Sequence, residues 1–385
     1  MKLQTFQYKK GSGWSIREFP NMDSENTLIM VFSAPEFIDD PTPIKELAKY
    51  YPKSKIIGCS SAGEISGAHI LDNSISVAVA QFEKTPIRVV RTEIKSAEES
   101  YKAGETIANE LYKNDLHGIF VLSDGLKVNG SELVKGLNTI QNGALVITGG
   151  LAGDGSRFKQ TWSIFNGEIL TNNIIGVGFY GNHIQIGHGS RGGWDIFGPE
   201  RLITRSKNNI LYELDGQPAL GLYKEYLGER AAGLPATGLL FPLAIRKDEN
   251  DTRQLVRTIL AINEEEQSLT FAGDVPVGYL AQLMRANFDR LITAADEAGE
   301  LATKRMLGTE KNSVKPVLAI AISCVGRRLL LGERTEEETE STLESLPAGA
   351  QQVGFYSYGE LSPYTTGTCD LHNQTMTLTT LCETE

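Results

Sequence analysis

Two segments far apart in the chain carry the same set of residues able to do chemistry. Gly58-Cys59-Ser60-Ser61-Ala62-Gly63-Glu64-Ile65-Ser66 and Gly354-Phe355-Tyr356-Ser357-Tyr358-Gly359-Glu360-Leu361-Ser362 both read G-x-x-S-x-G-E-[IL]-S. A looser third version is the glycine-rich turn 149–155, GGLAGDG, which follows the run ALVIT. A strand that ends in such a turn leaves backbone N–H groups unpaired, and Gly and Ser let a ligand approach them closely. On this reading Cys59, Ser60, Ser61, Gly63 and Glu64, then Gly153 and Asp154, then Tyr356, Ser357, Gly359 and Glu360 line a small-ligand site. Arg327 adds a cation, and Cys324 and Asn373 lie at neighbouring element ends. The alternative is that these are tight turns needing Gly for positive φ, with Glu64 and Glu360 capping or solvated.

Catalytic patterns are scarce. There is no G-x-S-x-G elbow, Walker loop or H-E-x-x-H motif. GGLAGDG is followed by a strand-like run, Thr161–Phe165, where a dinucleotide site needs a helix. A hydrolase using Ser61, Ser357 or Cys59 needs a base in reach, such as His372, and no Asp–His pairing can be inferred from the sequence. The chain therefore reads as a binding protein and not an enzyme, with a Ser/Cys hydrolase as the minor rival. Cys59, Cys324, Cys369 and Cys382 form no C-x-x-C pair and no zinc pattern.

The elements that must position these turns repeat as well. Ser33 and Ser323 each end an apolar strand, and a helix, a Pro-marked loop (Pro52, Pro347), a strand and the turn follow. Ser123 to Gly149 repeats the plan loosely. The expected fold is α/β (mixed α+β): two related lobes of repeated β-α-β-turn units around mixed sheets, with a ligand cleft between them. The lobes are placed at residues 1–209 and 210–385. A helix is expected over Val277–Met306, with apolar positions at Leu280, Leu283, Met284, Phe288, Leu291 and Ile292. Its length suggests a homodimer or partner surface; the alternative is core packing against a sheet.

At 385 residues, 41% hydrophobic and 22% charged, the chain is globular. A formal net charge of −11 repels phosphate backbones and argues against nucleic-acid binding. The N-terminus lacks the apolar stretch of a secretion signal, and no apolar run is long enough to span a bilayer. With unpaired cysteines, this points to the cytoplasm.

The segments IIGCSSAGEISG (56–67), GGLAGDG (149–155), ELDGQPA (213–219), CVGRRLLLG (324–332) and GFYSYGELSP…LHNQTMTLTTL (354–381) resemble the FIST family of sensory domains. The resemblance covers nearly the whole chain and implies a ligand-binding signal-transduction input. No output module is apparent, so the chain is also similar to stand-alone FIST proteins that bind haem b and sense nitric oxide. That likeness implies action in trans on a histidine kinase or on a diguanylate cyclase or phosphodiesterase. It also implies an axial ligand to the haem iron, for which His372 and His188 are the candidates, with Arg191 pairing a propionate. The glycines flanking His188 would admit a flat cofactor. A turn-bound His372 and an exposed His188 on a glycine-rich hairpin are the plainer readings. Cys59 and Cys324 are weighed as thiolate ligands or as small buried residues. No C-x-x-C-H sequence exists for covalent haem. The rival within binding proteins is a haem-free sensor of amino acids or another small metabolite.

Overall fold

The β-branched apolar runs become strands buried on both faces. Thr27–Ser33 is buried at every position, as is Leu318–Cys324. Such strands need cover on two sides. In the computed structural model, which describes residues 1–140, 145–251, 255–307, 315–364 and 367–384, three mixed sheets supply it.

The three sheets follow one strand plan. Each centres on a parallel pair: Thr27–Ser33 with Lys55–Ser60, Leu116–Ser123 with Val146–Leu151, and Leu318–Cys324 with Gln351–Ser357. Beside the first member of each pair runs an antiparallel strand: Ser74–Gln81, Asn173–Tyr180 and Met376–Glu383. Beyond the second member lies a hairpin from elsewhere in the chain. Glu64–Ser66 and His69–Leu71 follow the first pair in sequence but complete the third sheet. Gly359–Pro363 and Cys369–His372 follow the third pair but complete the second sheet. Ser163–Phe165 and Glu168–Leu170 follow the second pair and complete the first sheet. The exchange closes a ring.

The expected parts 1–209 and 210–385 are interleaved in these sheets. Segments on either side of residue 209 share sheets, since Ile184–Arg191 also pairs with Met376–Glu383. A strand edge left open by one segment is satisfied by another. The second turn is also shorter than expected. Its strand runs on through Leu151, so Gly149 and Gly150 are ladder residues.

The inner faces of the three sheets meet in one core. Met30 and Phe32 from the first, Phe120 and Val177 from the second, and Ile320 and Phe355 from the third belong to it. Phe32 stacks on Phe355 across two sheets, ring centroids 4.9 Å apart. The outer faces are covered by helices. Thr42–Tyr50 packs Ile44 and Leu47 over the first sheet. Ser100–Leu111 and Gly130–Leu137 cover the second. Asn129 caps the latter, its side chain accepting from the backbone N–H groups of Ser131 and Glu132.

Each parallel pair carries a glycine at the same register. Gly58, Gly149 and Gly354 lie opposite Val31, Val121 and Ala321. A Cβ on any of them would stand 2.0, 1.9 or 1.8 Å from the carbonyl oxygen of its partner. The crossing backbones leave no room for a side chain.

The helix expected over 277–306 is two elements. Leu280–Arg285 is a strand, and the helix runs Phe288–Leu307. Gly278 holds φ +85 and breaks any helix there. Asn287 accepts from Arg290 N–H at the helix start. The helix is a lid on the third sheet: Ala295, Ala298 and Ala302 are buried in the core. Between Ile184–Arg191 and this helix the chain inserts a fourth, fully antiparallel sheet spanning 195–285, with its own core around Leu220, Tyr223 and Phe271. Among the described residues, no helix is long and apolar enough to cross a membrane.

Gly354→Ala is expected to lower stability by about 3 kcal/mol, as overpacking against fixed backbone does. Gly221, exposed in the helix Ala219–Leu227, meets nothing closer than 3.7 Å. Gly221→Ala is expected to raise stability by about 0.5–1 kcal/mol. Urea unfolding midpoints of the two variants check both signs.

Candidate functional site

The structure brings the matching turns together at the meeting point of the three sheets. Their backbone groups pair with one another. Ala62 N–H donates to Tyr356 O at 2.8 Å, Tyr356 N–H to Gly63 O at 2.9 Å, and Gly153 N–H to Ser60 O at 3.0 Å. These are the groups read from sequence as open to a ligand, and the correction has a simple cause. The exchanged hairpins leave each sheet through these turns, so the ladder continues across them.

Their side chains turn inward. Ser61 Oγ donates to the Glu64 carboxyl, whose Oε2 accepts from Ser74 N–H at 3.2 Å and Ser74 Oγ at 2.7 Å. Ser357 Oγ donates to Glu360 Oε1 at 2.6 Å, and Glu360 Oε2 accepts from Thr375 N–H at 3.3 Å and Thr375 Oγ1 at 2.9 Å. Each glutamate thus ties the start of an exchanged hairpin to the strand that follows it. Both carboxyls are pushed up to about 8, foremost by burial, against the lowering effect of the hydroxyl donors. Ser60 Oγ accepts from Trp162 N–H.

Arg327 is also internal. It and Glu338 have no exposed side-chain surface and form an ion pair at 2.7 Å. The guanidinium further donates to the carbonyls of Gly192 at 2.6 Å and Leu291 at 2.8 Å. Glu338 Oε1 accepts from Ser323 Oγ at 2.6 Å and Tyr356 Oη at 3.2 Å. Asp154 is buried too, and organises its own loop: its carboxylate accepts from the backbone N–H groups of Phe158, Lys159 and Gln160. Asn373 is buried, and neither atom of its amide has a partner among the described residues. Burial pushes the Cys59 thiol well up and the Cys324 thiol to about 12, so neither presents a thiolate at neutral pH.

The residues named for haem do not fit that group. Gly187 and Gly189 admit a helix where a flat cofactor was expected, since a Cβ on either would stand 2.0 Å from the carbonyls of Ala302 and Ala298. His188 is buried in the strand Ile184–Arg191, not exposed on a hairpin. Its Nδ1 lies 2.8 Å from Arg305 Nη1. Arginine only donates, so that lone pair is taken and the ring proton sits on Nε2. Burial first and Arg305 second lower this imidazole to about 3. His372 Nε2 lies 2.9 Å from Ser362 O, and must carry the proton it donates. The cavity bordering His372 and Arg191 holds only about 150 Å³. Organic ligand sites run from roughly 300 to 1,000 Å³. Arg191 itself donates to Ser190 O and lies 3.6 Å from Glu297.

A larger cavity, about 620 Å³, opens at the junction. Ala62 and Asp72 reach it from the first unit, Gly155 and Ser156 from the second, and Val325, Arg328 and Leu329 from the third. Arg328 supplies the positive charge of its lining. It binds Asp72 through two nitrogens at 3.0 and 2.7 Å and donates to Ala62 O at 2.6 Å. It also lies 5.8 Å above the Tyr356 ring. A Cβ on Gly63 would stand 2.5 Å from Arg328 Nη1, so this glycine leaves room for the guanidinium. Glu333 and Glu336 add two carboxylates to the wall, and Ile70, Val325 and Leu329 add apolar surface. Sequence reasoning singled out Arg327 and missed Arg328. The available signal was the helix Val325–Leu331, which turns adjacent residues about 100° apart.

Comparison with known proteins matches the FIST N domain to residues 27–217 and the FIST C domain to residues 219–363. An uncharacterized protein of Mycobacterium tuberculosis is 27% identical over 319 residues, covering 80% of this chain and 79% of that one. An uncharacterized protein of Methanocaldococcus jannaschii is 23% identical over 357 residues, covering 82% of this chain and 65% of that one. Among solved structures, a cyanuric acid hydrolase from A. caulinodans aligns over 78% of this chain and 68% of that one at 11% identity. Its TM-score is 0.24, too low to support any argument.

Arg327→Ala leaves Glu338 charged and unpaired in the core, and a loss of about 3–5 kcal/mol is expected in chemical denaturation. Glu64 and Glu360 give a pH signature. Their folded values near 8 exceed the unfolded value of 4.5. The stability they contribute is full below pH 4.5 and is lost as pH rises through 8. The double variant Glu64→Gln, Glu360→Gln lacks this loss, so between pH 5 and 8.5 its unfolding free energy should rise relative to the unsubstituted protein. Parallel pH profiles that stay a constant distance apart would refute the assignment.

Proposed function

Because this chain belongs to the FIST family and carries both its N and C domains, we propose that it is a ligand-binding sensor whose junction cavity takes an α-amino acid with an apolar side chain. One observation carries this reading: a single 620 Å³ cavity gathers a guanidinium, three carboxylates and an apolar wall where all three sheets meet. The ligand carboxylate replaces Asp72 on Arg328. Asp72 is 64% exposed, and ion pairs of that kind are worth about 1 kcal/mol or less, so the exchange is cheap. The released Asp72, with Glu333 and Glu336, receives the ammonium. Ile70, Val325 and Leu329 cover the side chain.

Signal leaves through the helix Val325–Leu331. Arg328 faces the cavity while Arg327, its neighbour, holds Glu338 on the helix Thr335–Glu344 and the Leu291 carbonyl on the long helix. A pull on one arginine is felt by the other. The output is a partner in trans, a histidine kinase or an enzyme of cyclic-di-GMP turnover, and the compartment is the cytoplasm. A binding role is favoured over hydrolysis because the Ser61 and Ser357 hydroxyls are buried and engaged by carboxyl groups. Among the described residues, neither has a histidine partner.

Titration calorimetry against the twenty amino acids tests this. An apolar amino acid is expected to bind one-to-one, and Arg328→Ala to weaken it at least tenfold, about 1.4 kcal/mol. Binding unchanged in Arg328→Ala, or no amino acid bound at millimolar concentration, would overturn the reading. Retention of one haem per chain after reconstitution would point back to the haem-based reading.

A further inference from the structure

A second cavity, about 310 Å³, opens between the second sheet and the inserted fourth sheet. Its volume is within the range of organic ligand sites. Its chemistry differs from that of the junction cavity, because no residue that lines it carries a charge. Leu126, Phe158 and Leu260, three of the exposed large apolar side chains of the molecule, all stand at this one opening. Contiguous exposed apolar surface of this kind marks a binding site more often than chance.

The aromatic wall is built at a cost. Phe158 holds φ +51, a left-handed backbone that a bulky residue rarely adopts. The buried Asp154 carboxylate imposes it by accepting three successive backbone N–H groups, Phe158 at 2.8 Å and Lys159 and Gln160 at 2.9 Å. The Tyr358 hydroxyl donates to the same carboxylate. Phe158 then lies flat on Tyr358, ring centroids 4.4 Å apart and planes 14° from parallel. Core packing does not explain this strain, since Phe158 remains 46% exposed. Strained backbone held by a dedicated network is typical of binding sites. Across the cavity, Asn208 sits at the tight turn before Ile210–Leu214, also in the left-handed region at φ +53. Its exposed carboxamide has no hydrogen-bond partner among the described residues.

We propose that this cavity binds a neutral, flat, bicyclic heteroaromatic molecule of purine size. The aromatic pair supplies a platform for the ring, and Leu126 and Leu260 close over its edge. A carboxamide offers one donor and one acceptor side by side, the complement of a heterocycle that carries an N–H next to a ring nitrogen. The uncharged lining disfavours phosphorylated forms, because a buried phosphate without a cation is strongly penalised.

The test is calorimetry and saturation-transfer NMR with adenine and hypoxanthine, with adenosine monophosphate as the charged comparison. At least one base is expected to bind saturably and more tightly than the monophosphate. Phe158→Ala is expected to weaken it at least tenfold and Asn208→Gly, which keeps the left-handed turn, severalfold. Both side chains are exposed, so the variants should melt at the temperature of the unsubstituted protein. Leu260→Asp, also at an exposed position, should abolish binding. Arg328→Ala should leave base binding intact, which separates this site from the amino-acid site. The proposal is overturned if neither base binds saturably, if Phe158→Ala and Leu260→Asp bind as well as the parent, if the monophosphate binds best, or if Arg328→Ala removes the base.

Discussion

Two opposite charges with no exposure to solvent hold the centre of this molecule. Taking an ion out of water costs several kcal/mol, and only good geometry with further hydrogen bonds repays it. Arg327 and Glu338 meet that condition in full. The guanidinium reaches Glu338 and the carbonyls of Gly192, Leu291 and Gln374. The carboxylate reaches Ser323 and Tyr356. The pair therefore fixes the ends of two strands in the third sheet, both helices beside them, the long helix, and the segments that enter the inserted sheet and leave the last hairpin. No one of these segments can shift without uncovering a charge.

The junction cavity is a by-product of the same geometry. Three parallel pairs cross closely enough to require Gly58, Gly149 and Gly354, and each then hands its hairpin to a neighbour. Where the three hand-overs meet, backbone pairs with backbone and the glutamates lock the corners from inside. Above that floor the helix Val325–Leu331 sets one arginine into the core and the next into the cavity. Core and cavity are thus joined by a single peptide bond.

The sequence disclosed the elements better than their directions. The repeated G-x-x-S-x-G-E pattern marked two equivalent corners correctly, but residue type does not say which way a carboxyl points. Glu64 and Glu360 face inward to the hydroxyls, where a ligand-facing role was expected. The glycines around His188 did mark a close approach, and what approaches is the helix Phe288–Leu307. Glycine reports that space is needed without naming the occupant. The plan of the second sheet was blurred because its turn, after Leu151, carries a long loop built around Asp154 where the other two carry a few residues. The break in the expected long helix was legible, since Pro276, Gly278 and Asn287 are stop and start signals. There the apolar spacing of Leu280, Leu283 and Met284 outweighed them.

The ring of exchanged hairpins has a consequence for how the chain reaches this structure. The hairpin that completes the second sheet begins at Gly359, while the strand it pairs with ends at Leu151. The first hairpin, Glu64–Ser66 with His69–Leu71, likewise waits for Gln351–Ser357. During synthesis the early part of the chain therefore stands for a long interval with unpaired edges, beside Val146–Leu151 and along Glu64–Ser66. Contacts this distant in sequence make folding slow, and open edges meanwhile invite pairing with other chains. A FIST protein of this topology is born dependent on its own C-terminus, and its vulnerable period is the time between making an edge and making the strand that covers it.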